Sequence, residues 1–431
     1  MKRVLIPVAA AAACLFCGFA LAAGCVISNG IDFVTSIGAQ EHVARNETHA
    51  LKLAEGGRLE VDLSYGAVVV RADTAGAPEL AAVITGYGKD VEAAQKALDG
   101  TRLDVEEVAG GVRIRLSGPT VESRRSGIVT GSGPRADLEL RIPRDVALAM
   151  DLGSGNIETH GPIGPSKLKS DYGDVKVDSA RGDLRMESSS GAIALGELKA
   201  AKSFVGRSDY GNVSARSVEA DVVELHTSSG SVHLEDAACS RATLESNYGK
   251  IVALRVAGDL VARTDSGTVE AEDLTGKTAS LKSAYGSIVV RRFRGELTAN
   301  TSSGHVKVSE FEGACSLHSD YGNVDAEGRL DRFEGKTSSG SVNVKALVGS
   351  TIANDWRLAS GYGNVSLALP RELGFTLKAK TDYGNLDIQL PVTIAAGGLK
   401  KKEALQGQVG AGGRTVTLET SSGNVRVAPI D

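Results

Sequence analysis

The stretch L-T-A-N-T-S-S-G-H-V-K-V (297–308) is followed at once by a near copy, C-S-L-H-S-D-Y-G-N-V-D-A (315–326), eighteen residues further on. Both read apolar, any, apolar, any, Ser or Thr, any, Ser or Tyr, Gly, any, apolar, any, apolar. L-V-A-R-T-D-S-G-T-V-E-A (260–271) fits the same frame. Working outward, the frame recurs around glycines 155, 173, 191, 211, 230, 249, 267, 286, 304, 322, 340 and 363, at steps of 18 to 23 residues. The residue before each glycine alternates without a break: Ser154, Tyr172, Ser190, Tyr210, Ser229, Tyr248, Ser266, Tyr285, Ser303, Tyr321, Ser339, Tyr362. A fixed period of this length is the signature of stacked supersecondary units.

Alternation of period two on both sides of the glycine means β-strands with one buried face. Leu297, Ala299, Thr301 and Ser303 share one parity, and Val306 and Val308 share the other, so the parity slips at Gly304. A glycine suits a corner there because positive φ costs it nothing. On this count the Tyr or Ser before each glycine faces inward. Two arrangements fit: a single-stranded β-solenoid of 18–20-residue coils, parallel β-helix-like, or an antiparallel β-meander with hairpins at Tyr-Gly. The alternation favours the solenoid. Coils ~4.8 Å apart would place tyrosines on every second rung, each ring spreading over a small serine.

Composition excludes some partners. With 48 Lys+Arg against 53 Asp+Glu the net charge is -5, and no basic stripe is present, so nucleic acid is not expected as a partner. The run Lys400 to Lys402 reads as a solvated loop.

The N-terminus reads as a signal peptide over residues 1–24: Met1-Lys2-Arg3, an apolar run, then small residues. L-A-A-G-C (21–25) resembles a bacterial lipoprotein box that would make Cys25 the lipidation site, although Ala22 stands where such boxes usually carry Leu. Ordinary cleavage after Ala22 is the alternative. If Cys25 is lipidated in a two-membrane bacterium, Val26 after it suggests outer-membrane sorting. No later apolar run is long enough to span a bilayer. Cys239 and Cys315 form no disulfide framework, and four coils separate them, so they are expected to be unlinked.

Residues 25–50 read as a linker after the anchor and 51–151 as a lead-in region. D-V-E-A-A-Q-K-A-L-D-G (90–100) is its one helix, with Asp90 as N-cap and Gly100 beyond the end. Residues 152–366 are the regular array, and 367–431 hold C-terminal coils and a cap. Pro143 and Pro370 mark similar segments on either side of the array.

This order of signal, helix-containing lead-in, serial S-S-G-x-V and Y-G-x-V units and a terminal T-S-S-G-N-V resembles the bacterial β-strand-repeat family of candidate adhesins, whose function is unknown. The resemblance covers most of residues 50–430. It implies the fold and brings no functional residues.

Other motifs read as structure. Arg181-Gly182-Asp183 falls in the slot filled by A-G-D-L (257–260) and R-G-E-L (294–297), the turn between strands. Asp171, Asp209, Asp320 and Asp382 precede Tyr-Gly corners, but they recur only on every second coil, unlike the ligands of a calcium β-roll. Corner hydrogen bonding is their expected use. His226, His233, His305 and His318 show no metal-ligand spacing. The sequence therefore predicts no cofactor, no metal site, no catalytic residues and no enzyme. It predicts an exported, lipid-anchored envelope protein, on the periplasmic side of the outer membrane or at the cell surface, acting as scaffold or adhesin-like binding surface. Its partners would be the membrane, through the anchor, and an envelope glycan or protein. The alternative is a β-helix enzyme acting on polysaccharide, which would need inserted loops to build a cleft. The near-constant step leaves little room for them.

Overall fold

A computed structural model of the chain describes residues 41–430 apart from 74–75, 120, 126–127 and 395–401, with side chains of 121–132 also left aside. Cys25 and the signal lie outside the described residues.

Alternating apolar residues build the coil. In Val213–Thr227 the burial pattern has inward runs Val213/Ala215, Val218/Ala220 and Val223/Leu225/Thr227, separated by the exposed pairs Arg216-Ser217 and Asp221-Val222. Each pair shifts the inward parity, so one coil turns twice along its strand and a third time at the glycine. Ser217 makes its turn at φ 47°. The same turn recurs one coil further on at Asp236, Arg255, Asp273, Arg292 and Glu310, all with φ between 50° and 57°. A non-glycine residue there costs about 1–2 kcal/mol, offset by the burial that follows it on each coil.

Coils pair in parallel with their sequence neighbours. Val213–Thr227 pairs in one register with Val232–Ser246, and that with Ile251–Thr264 with a one-residue shift between Ala238 and Arg241. This is the solenoid, not the meander: about 12 turns of ~19-residue coils. Like residues therefore stack on like, as in Val213, Val232, Ile251, Val269, Ile288 and Val306. All six are fully buried. Each such side chain contributes roughly 1.5–3 kcal/mol relative to exposure.

Both ends of the array extend beyond the order of the sequence. Arg58–Tyr65 stacks on Ala147–Ser154, which brings an early coil onto the first coil of the array. At the other end Thr415–Thr420 pairs with Trp356–Ser360 on one side and with Phe375–Thr381 on the other. The last coil of the chain thus lies between two earlier ones.

Antiparallel strands cover the open edges. Ala404–Val409 closes Phe375–Thr381 at one end. At the other, Arg102–Val108 covers Gly111–Ser117, and Glu79–Gly88 covers Arg135–Ile142. Antiparallel covers stop a solenoid from adding further copies of itself. Helix α1, Val91–Asp99, is the one helix among the described residues and packs on Glu79–Gly88. Asp90 caps it by accepting the Ala93 N–H at 2.8 Å.

Candidate functional site

The feature most open to a partner is the glycine corner. The strand before it ends at the Ser or Thr three places ahead of the glycine, as at Thr301 ahead of Gly304. Thr301 is buried; Ser302 and Ser303 are exposed. The Thr301 hydroxyl donates to the Gly286 carbonyl of the coil below (2.9 Å) and accepts the Gly304 N–H of its own corner (3.1 Å). Ser283, Ser319 and Thr337 repeat both bonds on their rungs.

The parity therefore slips two residues before the glycine, not at it. That corrects the sequence reading of the tyrosines. They point outward: Tyr172, Tyr210, Tyr248, Tyr285, Tyr321, Tyr362 and Tyr383 are 68–83% exposed, and Tyr65 is 40% exposed. The interior position belongs to the Ser/Thr hydroxyl. A Ser or Thr recurring at a core position was the missed signal, because a buried hydroxyl must find hydrogen-bond partners. The role of the glycine changes too. Of the twelve array glycines only Gly155 has positive φ. At Gly304 a Cβ would stand 2.1 Å from the Gly286 carbonyl oxygen, so close stacking of the corners excludes any side chain.

Stacked in space, the corners run Tyr65, Ser154, Tyr172, through the array to Tyr362, then Ser422 and Tyr383. Tyr65 and Tyr172 both pair with Ser154. Gly423 stacks on Gly363, and Gly384 on Gly423. In chain order Tyr362 is followed by Tyr383, two tyrosines in succession. In space Ser422 separates them, and the alternation holds over all fifteen rungs. Eight of the nine tyrosines form one edge, spanning about 67 Å at ~4.8 Å per rung. The ninth, Tyr87, lies apart beside His42, with ring centroids 6.0 Å apart.

Polar columns flank this edge. Ahead of the tyrosines stand Asp171, Asp209, Asp320 and Asp382. Three of these carboxylates bond a cation or imidazole two residues back: Asp171 with Lys169 (3.1 Å), Asp320 with His318 (3.1 Å) and Asp382 with Lys380 (2.9 Å). This differs from the expected corner bonding. Behind Gly211 and Gly322, Asn212 Oδ1 accepts the Ser231 N–H and Asn323 Oδ1 that of Ser341, both from the next coil. Where the edge begins, a cleft of about 700 Å³ is lined by Tyr65, Tyr172, Asp62, Asp151 and Asp171. Lys169 reaches both Asp151 (3.3 Å) and Asp171, and the Asp171 bond raises its pKa.

The other motifs settle into the frame. Asp183 of the Arg-Gly-Asp tripeptide accepts the Lys202 and Ser203 N–H groups at 2.8 and 2.9 Å, as Asp259 does for Lys277 and Thr278. It clasps a turn to the next coil. Among the described residues no three His, Cys, Asp or Glu side chains are grouped to hold a metal, and no helix is long and apolar enough to cross a membrane. Cys239 and Cys315 are both free thiols. Burial pushes the Cys239 thiol up to about 11 and Cys315 well above its ordinary value.

The family model for Toastrack DUF4097 matches residues 58–256, 211–355 and 252–428. The chain belongs to that family. Among curated proteins no sequence matches this Toastrack chain. Solved structures with some likeness include a candidate cell adhesion protein from Clostridium sporogenes, at 8% identity over 90% of this chain and all of that one, TM-score 0.17. A candidate adhesin from Bacteroides fragilis shares 13% identity over 90% of this chain and 97% of its own, TM-score 0.22. A candidate lipid binding protein from Parabacteroides distasonis shares 12% over the same shares, TM-score 0.20. At such scores these likenesses carry no argument about what the Toastrack chain binds.

Proposed function

We propose that this chain is an exported, envelope-anchored scaffold whose tyrosine edge is a binding surface. The observation that carries the reading is the row of eight outward tyrosines on evenly stacked corners. Large exposed aromatics set in a line on a stiff frame offer contact area at little cost in side-chain freedom. The near-constant coil length leaves no inserted loops to wall off a substrate, which favours a non-enzymatic role. Export rests on the N-terminal signal, and anchoring on acylation of Cys25.

Two variants of the full chain test this. Tyr248→Ala combined with Tyr285→Ala should keep the melting midpoint while losing retention on bacterial envelope fractions. Retention equal to the parent refutes the binding edge. Cys25→Ser should release the protein from the membrane fraction and abolish fatty-acid labelling; unchanged labelling refutes the anchor.

A further inference from the structure

Neither the corner hydrogen bonds nor core packing accounts for the alternation along the tyrosine edge. Tyrosine and serine corners make the same backbone bonds: Tyr285 N–H donates to Asp265 O at 2.8 Å, and Ser303 N–H to Ala284 O at 3.0 Å. The side chains are outside the core, so packing does not select between them. Rings on neighbouring rungs would not collide either, since aromatics stack in register at the strand spacing in cross-β ladders. Yet the alternation survives where the chain departs from its own order, with Ser422 inserted between Tyr362 and Tyr383. A spacing kept in space where the order of the chain would break it belongs to what the edge meets.

The flanks narrow the chemistry. The column ahead of the Tyr/Ser positions carries Asp171, Asp209, Asp265, Asp320 and Asp382 and no Lys or Arg. The column behind the glycines carries Asn156, Asn212, Asn323, Asn364, Asn385 and Asn424, with Asp174, Lys250 and His305 as its charged or titratable members. Rings thus lie between a row of carboxylates, three of them paired with Lys169, His318 and Lys380, and a row of asparagines whose Oδ1 atoms accept N–H groups of the next coil, leaving their NH2 groups to donate. The fitting ligand is uncharged along its length, rich in hydroxyls that can donate to the carboxylates and accept from the amides, and presents an apolar C–H face every ~9.6 Å, twice the rung spacing. A linear β-linked chain of hexose or N-acetylhexosamine units has these properties. Its rings flip by half a turn at each linkage, so the same face recurs once per disaccharide, about the length of two rungs.

Resting on the binding-surface reading above, we propose that the tyrosine edge binds linear β-linked polysaccharide in register, one tyrosine per disaccharide. Each sugar stacks weakly on its ring, and affinity accumulates as successive contacts become intramolecular.

The test uses the full chain, a length series of soluble β-linked chito-oligosaccharides, insoluble chitin, and amylose as an α-linked, helical control. Chitin should be bound and amylose not, and affinity should rise with each added disaccharide. Tyr248→Ala with Tyr285→Ala should weaken binding of the longer oligomers by roughly tenfold. Tyr248→Ser with Ser266→Tyr keeps the number of rings and moves one of them by a rung; it should bind as weakly as Tyr248→Ala. No binding to chitin, affinity independent of length, equal capture of amylose, or a shifted variant that binds like the parent overturns the proposal. If the tyrosine variants lose envelope retention while no β-linked glycan is bound, this ligand class fails and the binding edge stands.

Discussion

Replacing Thr301 by valine tests the clamp that sets the whole edge. The two side chains are nearly isosteric, and Thr301 is only 3% exposed, so the change opens no cavity. It removes one hydroxyl that serves two buried backbone groups, the Gly286 carbonyl at 2.9 Å and the Gly304 N–H at 3.1 Å. A buried polar group left without a partner costs about 1–3 kcal/mol. Two such groups, with partial relaxation of the corner, give a loss of about 2–4 kcal/mol. Stacked repeats do not unfold strictly as one unit, so a local probe serves better than a midpoint alone. Amide hydrogen exchange should show the Gly304 N–H losing protection in Thr301→Val and keeping it in Thr301→Ser, the residue already present at Ser283 and Ser319. Denaturant unfolding should move in the same order. If Thr301→Val matches the parent in both measurements, the hydroxyl column does not hold the corners and the account of why the tyrosines face outward fails.

Three further outcomes follow from the same geometry. Gly304→Ala should fold poorly or melt far below the parent, because its Cβ would sit 2.1 Å from a backbone oxygen that cannot move without parting two coils; a normal melt would refute the close-stacking account. Cys239 should alkylate slowly at neutral pH and faster as pH approaches its value of about 11, and Cys315 should react only on unfolding, as mass spectrometry of labelled protein would read. Arg255 holds Glu235 and Asp236 below their usual carboxylate values, and Arg292 does so for Asp273. Depressed carboxyls add stability that is present above the unfolded-state values and lost as pH falls through the folded ones. Arg255→Met should therefore flatten the stability decline below about pH 4; an unchanged acid limb refutes the linkage.

Much of the fold was legible from the glycine clock, because period and parity are local properties that survive in one dimension. The helix at Val91–Asp99 was legible for the same reason, since its cap and stop are adjacent residues. The direction of the tyrosines was not. One extra residue in the bend at Ser302 and Ser303 reverses every side chain beyond it, and the period does not show where the strand ends. Thr301 carried that information as a hydroxyl in a core position. The place of Thr415–Thr420 was hidden for another reason. Strand partners far apart in sequence leave no local trace, and only the doubled tyrosine at 362 and 383 hinted that a serine coil had to come between them.

That interposed coil orders the folding of the far end in time. Most of the stack can grow by zipping each new coil onto the one just made, as contacts between neighbours in sequence cost little loop entropy. Phe375–Thr381 cannot, because the surface it rests on is made by strands within residues 415–430, which are synthesised after it. This region is locked only once residues 415–430 are available. A chain cut short after residue 410 would hold a finished rod with a loose, pairing-competent edge, the kind of edge along which chains associate with one another.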